Sequence, residues 1–246
     1  MNSTLTLLAA GSLRRAFIPL QAQFTQRTGI AVEIVFGPAG LLRERIERGA
    51  ACSVFASANH QHPHRLCETG RAHGLQPFAQ NQLILTVKNT PQTMEKDWLG
   101  LLSDAALRLG TSTPLCDPSG DYTWQLFERL DIDYPGLGAS LKQRAIQLVG
   151  GRDLLTVPPG EIASRWLIRQ GLADLFIGYA HYATASMGDT DIRNVTIPQP
   201  WNIRCEYYLA MLDESDAARQ FCQFILAQEG QRCLRDAGFL AVSDPV

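Results

Sequence analysis

No stretch of this sequence approaches the roughly 20 apolar residues that a bilayer-spanning helix needs. Basic charge is not in excess either: 22 Lys and Arg stand against 24 Asp and Glu, a net charge of −2. Nucleic-acid binders ordinarily carry a basic face, so no nucleic-acid partner is expected. The G-x-S-x-G elbow, the P-loop and H-E-x-x-H are all absent, and no cysteine and histidine stand at a motif spacing. A binding function is therefore expected rather than an enzyme, with no cofactor. The six cysteines (Cys52, Cys67, Cys116, Cys205, Cys222 and Cys233) include no C-x-x-C pair. They are expected to be free, buried thiols and not a zinc or redox site. Met1-Asn2-Ser3-Thr4 leads into a strand with no basic or apolar leader, which predicts either a cytoplasmic chain or one that begins after a removed signal.

What the chain does contain is a recurring junction. Its 246 residues are 46% hydrophobic, enough for one or two substantial cores. Four times a β-like apolar run stops at a small-residue turn and a helical pattern begins. Leu5 to Ala10 precedes Gly11-Ser12-Leu13, and Val32 to Phe36 precedes Gly37-Pro38-Ala39-Gly40. Val54 to Ala56 precedes Ser57-Ala58-Asn59, and Leu107 to Thr111 precedes Asp117-Pro118-Ser119-Gly120. At such junctions the first backbone N–H groups of the helix have no helical acceptor, and they lie at the positive end of its dipole. This is an anion site that requires no lysine or arginine.

Hydrophobic spacing predicts strands over 4–9, 30–36, 52–56 and 83–87, alternating with helices over 13–27, 41–48 and 63–69. A second set follows: helices over 98–102, 122–130, 137–148 and 161–170, and strands over 107–111, 174–179, 192–197 and 203–211. A closing helix spans 214–228. Alternation of this kind predicts an α/β protein whose sheets are mainly parallel, with helices on the faces. Without a flexible linker, the two sets read as two lobes: residues 1–80 with 199–246, and residues 81–198. Hinges are expected near Gln80-Asn81 and Pro198-Gln199-Pro200, and hinge closure would hold a ligand between the lobes. His60, His62 and His64 alternate around Pro63 and read as a solvated surface entering a helix.

At this level of detail the chain resembles a family. Leu8-Ala9-Ala10-Gly11-Ser12-Leu13 resembles the A-A-A-S-L start of the periplasmic molybdate- and tungstate-binding proteins of ABC transporters. Asn81 to Leu85 resembles that family's N-x-L-V-L crossing, and Asp117 to Tyr122 its D-P-x-G-x-Y loop. Gly171 to Tyr179 resembles its G-x-A-D strand, and Gly230 to Phe239 its C-terminal segment. The resemblance implies a two-lobed type II periplasmic-binding-protein fold, each lobe a mainly parallel sheet flanked by helices. It also implies a dehydrated tetrahedral oxyanion, a permease partner, a periplasmic location and a monomer. Carried over, the ligand-binding positions are Gly11, Ser12, Ala39, Gly40, Ser119, Glu161 at a helix start, and Tyr179. Neutral N–H and O–H donors replace the water that a buried dianion loses.

Three departures accompany the resemblance. Ala39 stands in place of the second-turn serine, and Pro38 before it has no N–H. Glu161 stands where a neutral residue is expected, and Asp117 and Asp121 add negative charge to the third loop. Two readings of Glu161 stay open. In one, its side chain faces solvent and only its amide is used. In the other, Glu161 and Asp117 ligate the metal of the oxyanion directly. The competing function is a cytoplasmic sensor of an oxyanion or small metabolite on the same fold.

Overall fold

The computed structural model describes residues 4–242; the expectations placed on 1–3 and 243–246 lie outside them. The chain divides into two compact units. Unit one holds the residues up to Asn81 and those from Cys205 onward, and unit two is Gln82–Arg204. In chain order, unit one begins with β1 (Leu5–Ala10), α1 (Arg14–Thr28), β2 (Val32–Gly37), α2 (Ala39–Glu47), β3 (Val54–Ser57), α3 (Gln61–Glu68) and β4 (His73–Asn81). Unit two comprises β5 (Leu83–Lys88), α4 (Pro91–Met94), α5 (Trp98–Ser103), β6 (Leu109–Ser112), α6 (Pro118–Asp133), α7 (Leu137–Arg144), β7 (Ile146–Val149), α8 (Ala163–Arg169), β8 (Leu175–Tyr179) and β9 (Ile192–Thr196). The chain then returns to unit one as β10 (Cys205–Met211), α9 (Asp216–Leu226) and α10 (Gln228–Asp236).

Each unit is a five-stranded α/β sheet, ordered β2-β1-β3-β10-β4 in one and β7-β6-β8-β5-β9 in the other. Parallel pairing forms the core of each: β1 with β2 and β3, and β6 with β7 and β8. β10 enters the first sheet antiparallel to β3 and β4, and β5 enters the second antiparallel to β8 and β9. β1 is apolar along nearly its whole length because helices cover both faces of its sheet, and all but Thr6 of its residues are buried. On one face Phe24 of α1 meets Phe221 and Phe224 of α9 edge-on, at 5.0 and 5.5 Å between ring centroids. Phe17, Phe78, Tyr207 and Phe239 continue this aromatic core.

Several element boundaries correct the sequence expectation. The helix expected over 137–148 ends at Arg144, and β7 begins at Ile146. Arg144 donates to the carbonyls of Leu102, Asp104 and Leu107. That anchors the helix end, and the extended Ala145 turns the chain into the sheet. The helix expected from Glu161 starts at Ala163, with Ile162 as its cap. Glu161 belongs to the preceding turn, where Gly160 has φ +86° and the Glu161 amide donates to Pro158 O at 3.1 Å. α6 is longer than expected, because Asp117 caps it one turn before the apolar spacing begins. Three elements had no sequence reading: β4, α10 and the short α4, which the capping box of Thr90 and Thr93 starts. β4 carries Gly74 and Pro77, residues poor in strands, and takes its place by pairing with β10 across two irregularities of register. α10 is polar except for a narrow buried face that includes Cys233 and Leu234.

His62 also departs from expectation. α3 places it in the interior at 7% exposure, because Pro63 falls in the first turn, where its missing N–H has no helical acceptor to lose. Its neighbours His60 and His64 stack on each other at 4.7 Å. Among the described residues no group of three or more His, Cys, Asp or Glu side chains is placed to hold a metal ion. Among the described residues no helix is long and apolar enough to cross a membrane.

Candidate functional site

The four strand-to-helix junctions prove physically unequal. In unit one, β1 runs into a short 3₁₀ turn, Gly11–Leu13, and then α1. Ser12 stands at the middle of this turn. Tyr207, fully buried on β10, donates its phenolic O–H to Ser12 Oγ at 3.1 Å. A contact between residues 195 positions apart thus holds the Ser12 hydroxyl in place. The register Ala10↔Gly37 sets the β1 turn beside the β2 turn, and a side chain added at Gly11 would lie 3.9 Å from Gly37 O.

The β2 turn opens α2. Its cap is Pro38, extended and offering no side-chain hydrogen bond, and the first helical bond is Leu42 N to Pro38 O at 3.0 Å. The amides of Ala39, Gly40 and Leu41 therefore have no helical acceptor. Ala39 and Gly40 are both buried. A buried, uncapped helix start is the arrangement that an anion satisfies. The β3 junction is different, because its own side chains close it. Asn59 Oδ1 accepts from the His62 amide at 3.3 Å, and Ser57 Oγ accepts from the Asn59 amide at 3.2 Å.

In unit two, α6 is capped from within. Asp117 Oδ1 accepts from the Ser119 amide and Oδ2 from the Ser112 hydroxyl, each at 3.1 Å. Gly150 comes so close that a side chain there would sit 2.6 Å from Asp117 Oδ2. Part of the Asp117 residue reaches solvent, but its carboxyl end is enclosed. Burial pushes its pKa up to about 6, against the two hydrogen bonds; nearby Asp121 adds a smaller upward push. Asp121 in turn accepts the amide of Leu115, a residue held at φ +66°. Ser119 is buried, and its carbonyl accepts the Thr123 hydroxyl at 2.7 Å. Tyr179 is buried at the end of β8. Since β8 runs parallel to β6, Tyr179 and the Asp117–Ser119 loop lie at the same, C-terminal edge of that strand pair.

Of the expected site residues, the structure brings Gly11, Ser12, Ala39 and Gly40 together in unit one. It places Ser119 with Asp117 in one loop of unit two, and Tyr179 at the same sheet edge. Glu161 is exposed and paired with Arg165 at 3.0 Å, and its amide is engaged with Pro158. The sequence reading missed Tyr207. Its only local sign is one apolar alternation within Cys205–Met211, and its partner lies at the other end of the chain.

All six cysteines are free; Cys205 and Cys233 are buried and the other four intermediate. Burial pushes the Cys52 and Cys222 thiols up to about 12, which makes them poor nucleophiles.

Comparison with known proteins gives a consistent result. Residues 5–240 match the family described as bacterial extracellular solute-binding protein. An uncharacterised protein of Pasteurella multocida is 43% identical over 235 residues, covering 95% of this chain and 97% of that protein. The periplasmic molybdate-binding protein of Azotobacter vinelandii superposes with a TM-score of 0.76 at 19% identity, over 96% of this chain and 98% of that one. The sulfate-binding protein SubI of Mycobacterium tuberculosis does so with a TM-score of 0.75 at 20% identity, over 98% and 88%. These two structures share the type II periplasmic-binding-protein fold, and both are binding proteins by name. With its fold and nearly its whole length matched, the chain belongs to the bacterial extracellular solute-binding protein family.

Proposed function

We propose that this protein binds a small tetrahedral oxyanion in the periplasm, with molybdate and tungstate the ligands that the sequence resemblance implies, and delivers it as a monomer to the permease of an ABC transporter. One observation carries the reading. The buried, uncapped start of α2 lies beside a serine hydroxyl held in position by Tyr207. Buried amides without acceptors are unfavourable unless a ligand takes them, and an anion at a helix start is also favoured by the dipole. The proposed donors in unit one are the Gly11–Ser12 turn, the Ser12 hydroxyl and the amides of Ala39 and Gly40; in unit two, taken by itself, Ser119 and Tyr179 are the proposed donors. Glu161 is not among them, because its amide already donates to Pro158. The relatives that bind molybdate and sulfate lend support at the level of fold.

Thermal denaturation with molybdate, tungstate, sulfate and phosphate tests the reading. A ligand at 100 times its Kd stabilises the folded protein by about 2.7 kcal/mol. The melting point is expected to rise with at least one of these anions, and S12A is expected to weaken the effect. If no oxyanion raises it at millimolar concentration, the proposal fails.

A further inference from the structure

The start of α1 breaks an electrostatic rule. Its first two residues are Arg14 and Arg15, with no acidic residue in the first turn. Cations at the positive end of a helix are unfavourable, and helices ordinarily place acids there. Among the described residues no carboxylate pairs with either arginine, and both are exposed. The Arg14 guanidinium instead lies over the Phe36 ring, 4.4 Å from its centroid. Phe36 pairs with Ala9 at the end of β2, immediately before Gly37-Pro38-Ala39-Gly40. The stack therefore parks a formal positive charge beside both unit-one turns, one residue past the Gly11–Leu13 turn and one before Gly37. The second of these turns is the one that lacks a side-chain donor, with Pro38 and Ala39 in place of residues that offer more.

We propose that Arg14, held on Phe36, is a specificity-determining residue that receives a second anionic group on the ligand, so that the protein prefers a small phosphorylated or sulfonated carboxylate to a bare inorganic oxyanion. The inference rests on the proposed function, in which the turn amides and Ser12 take the tetrahedral head. A bare oxyanion held by neutral donors leaves the exposed guanidinium without a partner. A carboxylate projecting from the head matches the planar fork of arginine with two parallel hydrogen bonds. It also offsets the unmatched charge at the helix start. Aromatic stacking limits the freedom of the guanidinium, so less entropy is lost when the second group binds.

The experiment is calorimetric titration of the full chain with phosphoglycolate and sulfoacetate, against phosphate, sulfate and molybdate. Wild type is expected to bind a bifunctional probe at least about tenfold more tightly than the matching inorganic anion, the gain from one good charged contact. R14Q is expected to lose that preference while its affinity for the inorganic anion stays within about twofold. R14K, which keeps the charge without the fork, should retain part of the preference, and F36L, which keeps the arginine without its platform, should lower it. Added salt should narrow the wild-type preference and leave R14Q unmoved. Arg14 is exposed, so an unchanged R14Q melting point establishes that the variant is folded. If wild type shows no preference for the bifunctional probes, or R14Q weakens both classes equally, the inference falls while the oxyanion reading stands. If neither class binds, both fall.

Discussion

Replacing Asp117 by Asn tests whether the enclosed carboxylate destabilises unit two. The folded pKa of about 6 lies above the ordinary 3.8. The folded state therefore holds its proton over a pH range in which the unfolded chain has lost it. No penalty exists below about pH 4, where both states are protonated; it grows as pH rises from there to about 6 and is constant above. At about 1.36 kcal/mol per tenfold change in proton affinity, the gap between 3.8 and about 6 is a loss of about 3 kcal/mol at neutral pH. Asn keeps an oxygen for the Ser119 amide, and the Ser112 hydroxyl is able to turn and accept from the new NH₂ group. D117N is thus expected to be more stable than wild type by about 2 to 3 kcal/mol near pH 8, and equal to it near pH 4. At about 2 to 4 °C per kcal/mol for a chain of this size, the melting point should rise by roughly 4 to 12 °C at the higher pH. Calorimetric scans from pH 4 to pH 8 read the gap between the two proteins and allow separate transitions for the two units. A variant less stable than wild type by the same amount at every pH would refute the reasoning, since it would mean that the carboxylate acts only as a helix cap.

His62 provides the opposite pH dependence, in unit one. Burial, with Arg43 nearby, lowers its pKa to about 4 from 6.5, so stability is lost as pH falls from 6.5 toward 4; H62Q should flatten that slope, by about 3 kcal/mol at the acid end. Asn202 closes a buried junction in unit two, accepting from the amides of Leu83 and Ile203 at 3.0 and 2.8 Å and donating to the carbonyls of Leu83 and Ile197 at 2.9 and 3.1 Å. N202A orphans both Leu83 groups and should destabilise unit two by about 2 to 4 kcal/mol, read as the unfolding free energy in a urea titration. At Gly138 a Cβ would stand 2.0 Å from Phe127 O, where α7 crosses α6; G138A should destabilise by about 3 kcal/mol, read by thermal melting. Cys52 and Cys222 should resist a thiol reagent in the native protein at about pH 8 and react once denatured, as counted by colorimetric titration.

The candidate site was legible in the sequence to the extent that backbone pattern defines it. Apolar runs ending at Gly11-Ser12, Pro38-Ala39 and Pro118-Ser119 marked where helix starts would offer their amides, because strand and helix periods are local properties of the chain. Side-chain engagement was not legible. That Asn59 and Ser57 close one junction, that Asp117 fills another and that Glu161 lies in a turn before its helix all depend on which rotamers the packed neighbours permit. Similarly, β4 and β7 are strands only because partners accept them; their own residues include Gly74 and Pro77, or follow a helical pattern too closely to be separated from it.

The sequence by itself determined the α/β class, the order of most strands and helices, the family resemblance and the absence of an evident catalytic motif. Each of these follows from residue type and spacing along the chain. Only the tertiary structure decided which of four similar helix starts remains open. Tyr207 reaches Ser12 from the far end of the chain, Ala39 and Gly40 become buried with no cap, and Arg14 settles on Phe36 instead of a carboxylate. The reason is that an unfilled amide or an unmatched charge is a property of everything packed around it, and those neighbours are brought together by folding, not by their spacing in the sequence.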